Sequence, residues 1–218
     1  MTFTIHPFSP DSTTGLPTIA PPHECHAYVW HHHLSLESLT ELFKEEYAVP
    51  VGKDMCTKRL TERLSVRFML HRLFGPSASV AHTQTGRPLL QGSPLHISIS
   101  HTDGAYALSF SYEPHGIDIE PPSPRALRLR ARFLDEGERC INLGNGWTEE
   151  DEATALWCAK EAAYKCFSNE RITHIGQVHL HQAAPGVSIT ATPEACNDTA
   201  FPVTVTHYQN LVIALCHP

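Results

Sequence analysis

The sequence is short of positive charge. Its 218 residues include 16 Lys and Arg against 23 Asp and Glu, a formal net charge of −7 at pH 7. A nucleic-acid-binding protein neutralises phosphates with a basic surface, so this balance argues against a nucleic-acid partner. Long apolar runs are also missing: no stretch is suited to cross a bilayer, and residues 1–22 lack the basic start and apolar core of a secretion signal. We therefore expect a cytoplasmic protein without a membrane partner.

The seven cysteines form no Cys-x-x-Cys pair and no zinc-like spacing. An odd, scattered set is typical of reduced thiols in the cytosol and argues against a disulfide framework. Hydrophobic residues make up 41% of the chain and charged residues 18%, as in ordinary globular proteins. This length allows one large domain or two small ones.

Prolines divide the chain. Five of them fall within residues 1–22 and predict a loose or surface-hugging arm, while Pro121, Pro122 and Pro124 predict a domain boundary. The predicted units are the arm (1–22), a first α+β subdomain (23–121) and a second α+β subdomain (122–218). In each half helices precede antiparallel strands, so we expect two similar subdomains packed as a pseudo-dimer.

Residue periodicity predicts the individual elements. We expect helices over residues 35–47, 54–74, 125–143 and 149–167. We expect strands over residues 26–34, 80–85, 95–101, 105–111, 116–120, 174–181, 187–192 and 202–216, the last folding on Gln209-Asn210. The spacing of strands 95–101, 105–111 and 116–120 predicts an antiparallel meander.

The strand His115–Glu120 alternates carboxylates with isoleucines. Successive side chains of a strand point to opposite faces, so Asp118 and Glu120 share one face and Ile117 and Ile119 the other. Two close carboxylates repel each other unless a cation lies between them, which indicates a hard-cation site. The alternative is a half-buried edge strand with a solvated acidic face.

Two predicted helices carry further charge of interest. In Trp157–Lys165, Glu161 and Lys165 form an i,i+4 pair with Lys160 on the flank, which alone would indicate a surface salt bridge. In the helix over 54–74, Arg63 and Arg67 lie beside an apolar stripe, and further cations surround the first turns: Lys53, Lys58 and Arg59. That pattern indicates either a solvated helix with long side-chain stems over the core or an anion site for phosphate. The run His31–His33 would be divided between two strand faces, which argues against a metal triad.

Together these segments resemble the Sfp-type 4′-phosphopantetheinyl transferases. The hallmark of that family is a Gly-hydrophobic-Asp-x-Glu strand followed by a Trp-x-x-Lys-Glu-x-x-x-Lys helix. Here the strand motif is Gly116–Glu120 and the helix motif is Trp157–Lys165, with 43 positions from Asp118 to Glu161. The family's Gly-Lys-Pro and Ser-His-Ser/Thr motifs appear as Gly86-Arg87-Pro88 and Ser100-His101-Thr102. The chain departs from the pattern at Arg87, where lysine is common, at Cys158, where a small hydroxyl residue is frequent, and at His115, where an aliphatic residue is usual.

The resemblance implies an activity. The phosphopantetheine arm of coenzyme A would pass to a serine of an acyl, peptidyl or aryl carrier protein, with Mg²⁺ as cofactor and adenosine 3′,5′-bisphosphate as the released product. Asp118, Glu120 and Glu161 would hold Mg²⁺, and Glu161, Lys165 and Asp118 would be catalytic. The implied coenzyme-binding residues are Arg67, Arg87, Pro88, Ser100, His101, Thr102, Lys160 and Lys165, with Lys58, Arg59 and Arg63 less strongly implied. The chain would act as a monomer.

Two other functions use the same residues. A Mg²⁺-dependent hydrolase of nucleotide or coenzyme A pyrophosphates would need the same carboxylates but would release both products to water. A non-catalytic adaptor would keep the fold and bind coenzyme A or the carrier protein. An adaptor has no need of the complete set of three carboxylates and Lys165, which argues against it.

Overall fold

The structure is a computed structural model that describes residues 2–10, 24–44, 56–167, 172–186, 188–194 and 199–217. Within these residues the chain forms four α-helices and eleven strands in two sheets. The predicted α+β class is therefore confirmed. No helix in this described part combines the length and the apolar character needed to span a bilayer.

The first sheet has the strand order β1-β2-β6-β5-β4-β3. Its neighbouring strands are antiparallel, except that β1 runs parallel to β2. Helices α1 and α2 lie between β2 and β3 along the chain. The bounds are β1 Thr2–Pro7, β2 Glu24–His31, α1 Leu36–Lys44, α2 Thr57–Phe74, β3 Val80–His82, β4 Pro88–Leu90, β5 His96–Thr102 and β6 Ala105–Ser111.

The second sheet is antiparallel throughout and has the order β7-β11-β10-β9-β8. Helices α3 and α4 lie between β7 and β8 along the chain. The bounds are β7 Gly116–Glu120, α3 Pro124–Phe133, α4 Glu149–Phe167, β8 Val178–Gln182, β9 Ile189–Pro193, β10 Phe201–Tyr208 and β11 Leu211–Cys216. The predicted turn at Gln209-Asn210 is confirmed, because Tyr208 pairs with Leu211.

The two halves repeat one topology. In each, a first strand is followed by two helices and four strands, and the first strand pairs with the last. The repeat supports the pseudo-dimer, which stays a prediction. It also places β7 at the start of the second half, whereas the predicted boundaries (1–22, 23–121 and 122–218) assign β7 to the first.

Two strand predictions need correction. The meander is correct for β5 and β6 but wrong for β7, because β6 is already paired on both edges, by β2 and β5, and has no free edge. The loose arm is wrong for Thr2–Pro7, which pair with β2 as β1. The rest of that arm, residues 11–22, lies outside the described residues.

The predicted helix over 125–143 is too long. Ser123 caps α3 by accepting from the Arg125 N–H at 3.2 Å, and Pro124 occupies its first turn. The helix ends at Phe133. Asp135 and Glu138 then accept hydrogen bonds from each other's backbone N–H, both at 2.8 Å, and this reciprocal capping starts a separate 3₁₀ turn.

Within the described residues, three buried clusters of side chains form the core, and one of them joins the two halves. One face of the first sheet packs on α2, where Phe68 contacts Trp30 with ring centroids 5.4 Å apart. The opposite face packs against the second sheet through a buried cluster of small and aliphatic side chains. Its members are Cys25, Ala27, Val29, Ala105, Ala107, Ile117, Ile119, Leu211, Ile213 and Leu215. Helix α4 covers the outer face of the second sheet.

The histidine run contributes to this packing and does not form a triad. His32 stacks on Tyr106 with centroids 4.6 Å apart and bonds Ser65 Oγ at 2.9 Å. His31, on the other side of the strand end, faces Tyr208. The predicted division of the run between two faces is confirmed for these two residues.

At Gly116, β7 lies close against α4. A Cβ there would overlap the carbonyl oxygen of Ala162 and lie 2.6 Å from the Cys166 backbone nitrogen. These are backbone atoms of a helix, so they cannot move aside without shifting α4. The absent side chain therefore sets the distance between the strand and the helix.

We predict that Gly116→Ala lowers the free energy of unfolding by about 2 kcal/mol, since overpacked core positions typically cost 1–3 kcal/mol. Urea unfolding at neutral pH measures the change. Gly137→Ala is the matched control, because Gly137 is exposed and has helical dihedral angles (φ −69°, ψ −44°). A Gly116→Ala protein that unfolds at the wild-type urea concentration would contradict the close packing.

Candidate active site

Asp118 lies at the centre of the candidate site. It is 5% exposed, and its Oδ1 accepts hydrogen bonds from Lys165 Nζ and from Ser100 Oγ, both at 2.7 Å. Its other oxygen, Oδ2, is buried and has no hydrogen-bond partner among the described residues. A buried carboxylate oxygen without a donor is costly, so this atom indicates a position for a positively charged ligand.

Glu120 follows on the same face of β7. It is partly buried, and Thr102 Oγ1 donates to its Oε2 at 3.0 Å. Burial raises the pKa of Glu120, and the charges of Asp118 and Glu161 raise it further, against the opposing effects of Thr102 and Lys165. Three carboxylates thus act on one another electrostatically.

Helix α4 supplies the third carboxylate and a cation. Burial and the charge of Asp118 raise the pKa of Glu161, while Lys165 opposes the rise. Lys165 lies one turn further along and also donates from Nζ to the Ile117 carbonyl oxygen at 3.0 Å. Because α4 packs on β7 at Gly116, both side chains reach the carboxylate strand.

The three acids fit a divalent cation in their chemistry. All three side chains offer the oxygen ligands that a hard cation prefers. The pKa values of Glu120 and Glu161 are raised, as expected for carboxylates close to one another, and Asp118 Oδ2 has no hydrogen-bond partner among the described residues. Among the described residues, however, the ligand atoms of these three acids do not all lie within 4.8 Å of one another. A cation held here would therefore need water ligands as well, which Mg²⁺ commonly keeps.

Another cluster does meet that distance. It consists of Asp135, Glu138 and His179. The buried Glu138 already accepts at both oxygens, from Leu180 N–H at Oε1 and from Lys160 Nζ at Oε2, each at 2.8 Å. The Lys160 ammonium thus occupies the place of a cation, and this cluster is a structural network.

The predicted coenzyme contact of Lys160 is therefore wrong. Lys160 is 2% exposed and forms its ion pair with Glu138 inside the second half. Neighbouring residues of an α-helix point about 100° apart, so Lys160 turns away from the carboxylates that Glu161 faces. A buried lysine needs such a partner, because an isolated buried charge is strongly destabilising.

An arginine-lined cavity of about 990 Å³ lies between α2 and the first sheet. Arg67 and His101, which are both predicted to bind the coenzyme, line this cavity. His101 is held 3.7 Å from Glu62, which lies on α2. Further charged lining residues are Arg59, Glu62, Arg63 and His82, and apolar ones include Leu60, Leu64 and Ile99.

The other predicted coenzyme residues lie elsewhere. Ser100 and Thr102 alternate with His101 on β5 and so face the opposite side, where their hydroxyls bond Asp118 and Glu120. They do not line this cavity, and their contact with the coenzyme stays a prediction.

Arg87 and Pro88 do not line the cavity either. The Arg87 guanidinium bonds His96 Nδ1 at 3.2 Å. His96 lies two positions before Ser98 and four before Ser100, so it shares their face of β5. The charge of Arg87 is thus directed to the face away from His101.

The remaining departures, His115 and Cys158, are core residues that the sequence left without a role. His115 bonds Ser109 Oγ at 2.9 Å and the Glu113 carbonyl oxygen at 3.1 Å, and burial lowers its pKa to about 4. Cys158 is fully buried in α4, where burial and the charges of Asp118 and Glu120 raise its thiol pKa. Both side chains are neutral at pH 7 and support the strand and helix that carry the site.

Comparison with known proteins identifies the class to which this strand and helix belong. The family model of the 4′-phosphopantetheinyl transferase superfamily matches residues 114–216, from the start of β7 to the end of β11. This segment is thus a domain of that superfamily, and the match supports a transferase of the phosphopantetheinyl transferase kind. The resemblance noted from the motifs is confirmed at this level. A search of curated proteins finds no match to the chain.

We predict that Asp118→Asn and Glu161→Gln each weaken Mn²⁺ binding about tenfold or more, because the number of charged ligands sets cation affinity. Electron paramagnetic resonance of free Mn²⁺ measures binding without substrates. His179→Gln, in the structural cluster, is the control and should bind as wild type does. The reverse pattern, with His179→Gln impaired and the other two unchanged, would move the metal site to that cluster.

Proposed function

We propose that the protein transfers the phosphopantetheine arm of coenzyme A to a serine hydroxyl of a carrier protein and releases adenosine 3′,5′-bisphosphate. The proposal depends on one observation above all: the buried Asp118 is bonded to Lys165 and neighbours Glu120 and Glu161, while its Oδ2 stays without a donor. Asp118, Glu120 and Glu161 would hold Mg²⁺. That ion, when bound, supplies charge stabilisation to the pyrophosphate.

The cavity beside α2 suits the nucleotide part of coenzyme A. Its arginines 59, 63 and 67 and its His101 offer cationic or donor groups to phosphates, and its apolar floor includes Leu60 and Leu64. A volume of about 990 Å³ falls in the range of small-molecule sites. His101 lies next to Thr102, the last residue of β5, which bonds Glu120. A ligand anchored in the cavity can therefore reach the carboxylates around the end of this strand.

The residues of α4 suit the proton transfers. Burial raises the pKa of Glu161, which makes it a stronger base for the serine proton than an exposed glutamate. Lys165 is fixed by Asp118 Oδ1 and the Ile117 carbonyl oxygen, and its charge offsets the negative charge that develops on the leaving phosphate.

The activity is tested by labelling a panel of apo-carrier proteins with fluorescent coenzyme A in Mg²⁺. We expect wild type to label at least one carrier, and Glu161→Gln to lower kcat by about 10²–10⁴-fold, as a lost acid–base group does. Asp135→Asn, at the exposed residue of the structural cluster, serves as the control. Rapid consumption of coenzyme A without any carrier would favour the hydrolase, and binding without turnover in every combination would favour the adaptor.

Helix α3 offers a docking surface for the carrier. It has four exposed arginines, no acidic residue in its first turn and no buried residue, in a chain of net charge −7. None of the four forms an ion pair within the described part of the chain. The helix begins at Pro124, four residues after Glu120, so a partner bound to it lies beside the carboxylates. Carrier proteins are often acidic, which gives charge complementarity.

We predict that exchanging Arg125, Arg128 and Arg132, which share one stripe of α3, for glutamate raises KM for the carrier about tenfold or more and leaves KM for coenzyme A unchanged. Opposite charges speed the encounter of the two proteins, so the effect should shrink at high salt. Arg139→Glu, an exposed arginine just outside α3, is the control. An unchanged KM for the carrier would remove α3 from the docking surface.

A further inference from the structure

Strand β5 presents a row of hydroxyl groups to β7. Ser98, Ser100 and Thr102 alternate along β5 and therefore share one face. Each donates or accepts a hydrogen bond with β7, at distances between 2.7 and 3.2 Å. The two halves of the chain thus meet at a line of hydroxyls.

The row first completes the open edge of β7. This strand is the outermost of the second sheet, so one of its edges lacks a neighbouring strand. Ile117 N–H donates to Ser98 Oγ at 3.0 Å, and Ile119 N–H donates to Ser100 Oγ at 3.2 Å. Side-chain oxygens of the first half thus replace the carbonyls of a missing strand.

The row also orients the carboxylates. Ser100 Oγ accepts from Ile119 and donates to Asp118 Oδ1, so its single proton is already used. Thr102 Oγ1 likewise gives its proton to Glu120 Oε2. With Oδ1 held by Ser100 and by Lys165, the Asp118 carboxylate is fixed in rotation, and its Oδ2 keeps one direction.

We infer that Ser100 and Thr102 are positioning residues that orient Asp118 and Glu120 for a divalent cation. The inference rests on the proposed function for the identity of the cation site. His101, between them, faces the arginine-lined cavity. One strand therefore serves two parts of the site, His101 on one face and the two hydroxyls on the other.

The test separates metal affinity from coenzyme affinity. Thr102→Val keeps the shape of the side chain but removes the hydroxyl, whereas Thr102→Ser keeps the hydroxyl. Mn²⁺ affinity is measured by electron paramagnetic resonance without substrate, and coenzyme A affinity by calorimetry without metal. We expect Thr102→Val to weaken Mn²⁺ binding about tenfold, as loss of a partner that orients a metal ligand typically does, with coenzyme A affinity within about twofold of wild type. Thr102→Ser should restore Mn²⁺ binding.

Two further variants complete the comparison. Ser100→Ala should weaken Mn²⁺ binding as well, but it also removes the acceptor for Ile119 N–H. Thr102 makes no such backbone bond, so the Thr102 pair decides the question if Ser100→Ala fails to fold. His101→Ala should show the reverse pattern, with weaker coenzyme A binding and unchanged Mn²⁺ affinity.

Each result has one meaning. Unchanged Mn²⁺ affinity in Thr102→Val overturns the inference, whether or not coenzyme A binding falls, and a wild type that binds no Mn²⁺ overturns it too. If wild type labels no carrier but Thr102→Val still weakens Mn²⁺ binding, the positioning role holds and the proposed transferase function fails.

Discussion

The pairing of Asp118 with its two donors is the interaction on which the site depends. Ser100 reaches it from the first half and Lys165 from α4, both at 2.7 Å. A buried ion without a partner costs several kcal/mol, so the charge on Asp118 is tolerated only where these groups converge. Since the donors come from different halves, the carboxylate is correctly solvated only when the halves are docked. Assembly of the fold and formation of the site are one event.

Much of this architecture can be predicted from local sequence patterns, but the long-range pairing of the strands cannot. Alternation predicts β7 with its carboxylates on one face, and a glycine beside them predicts a close approach, which Ala162 and Cys166 provide. No local pattern indicates that β7 pairs with β11, because that choice depends on β2 and β5 occupying both edges of β6. The partner of Lys160 is hidden for the same reason: Glu138 lies 22 positions earlier and reaches it only through the fold.

The motif Ser100-His101-Thr102 illustrates a signal that was present but not fully used. Side chains alternate between the two faces of a strand, so His101 lies on the opposite face of β5 from Ser100 and Thr102. The three residues of the motif therefore could not line one pocket. Which face lines the arginine-rich cavity and which meets the carboxylates depends on α2 and β7, and neither position follows from the motif itself. Periodicity gives the division of a strand into faces, and tertiary packing gives each face its chemistry.

The repeated topology explains why a single half is insufficient. On β7, the face toward its own helix carries Asp118 and Glu120. On β2, the corresponding strand of the first half, that face carries Tyr28 and Trp30, which pack under α2. The first half thus has an aromatic core where the second has carboxylates, but it contributes the cavity of α2 and the hydroxyls of β5. Each half lacks what the other supplies, so the site forms only where β5 and β7 meet.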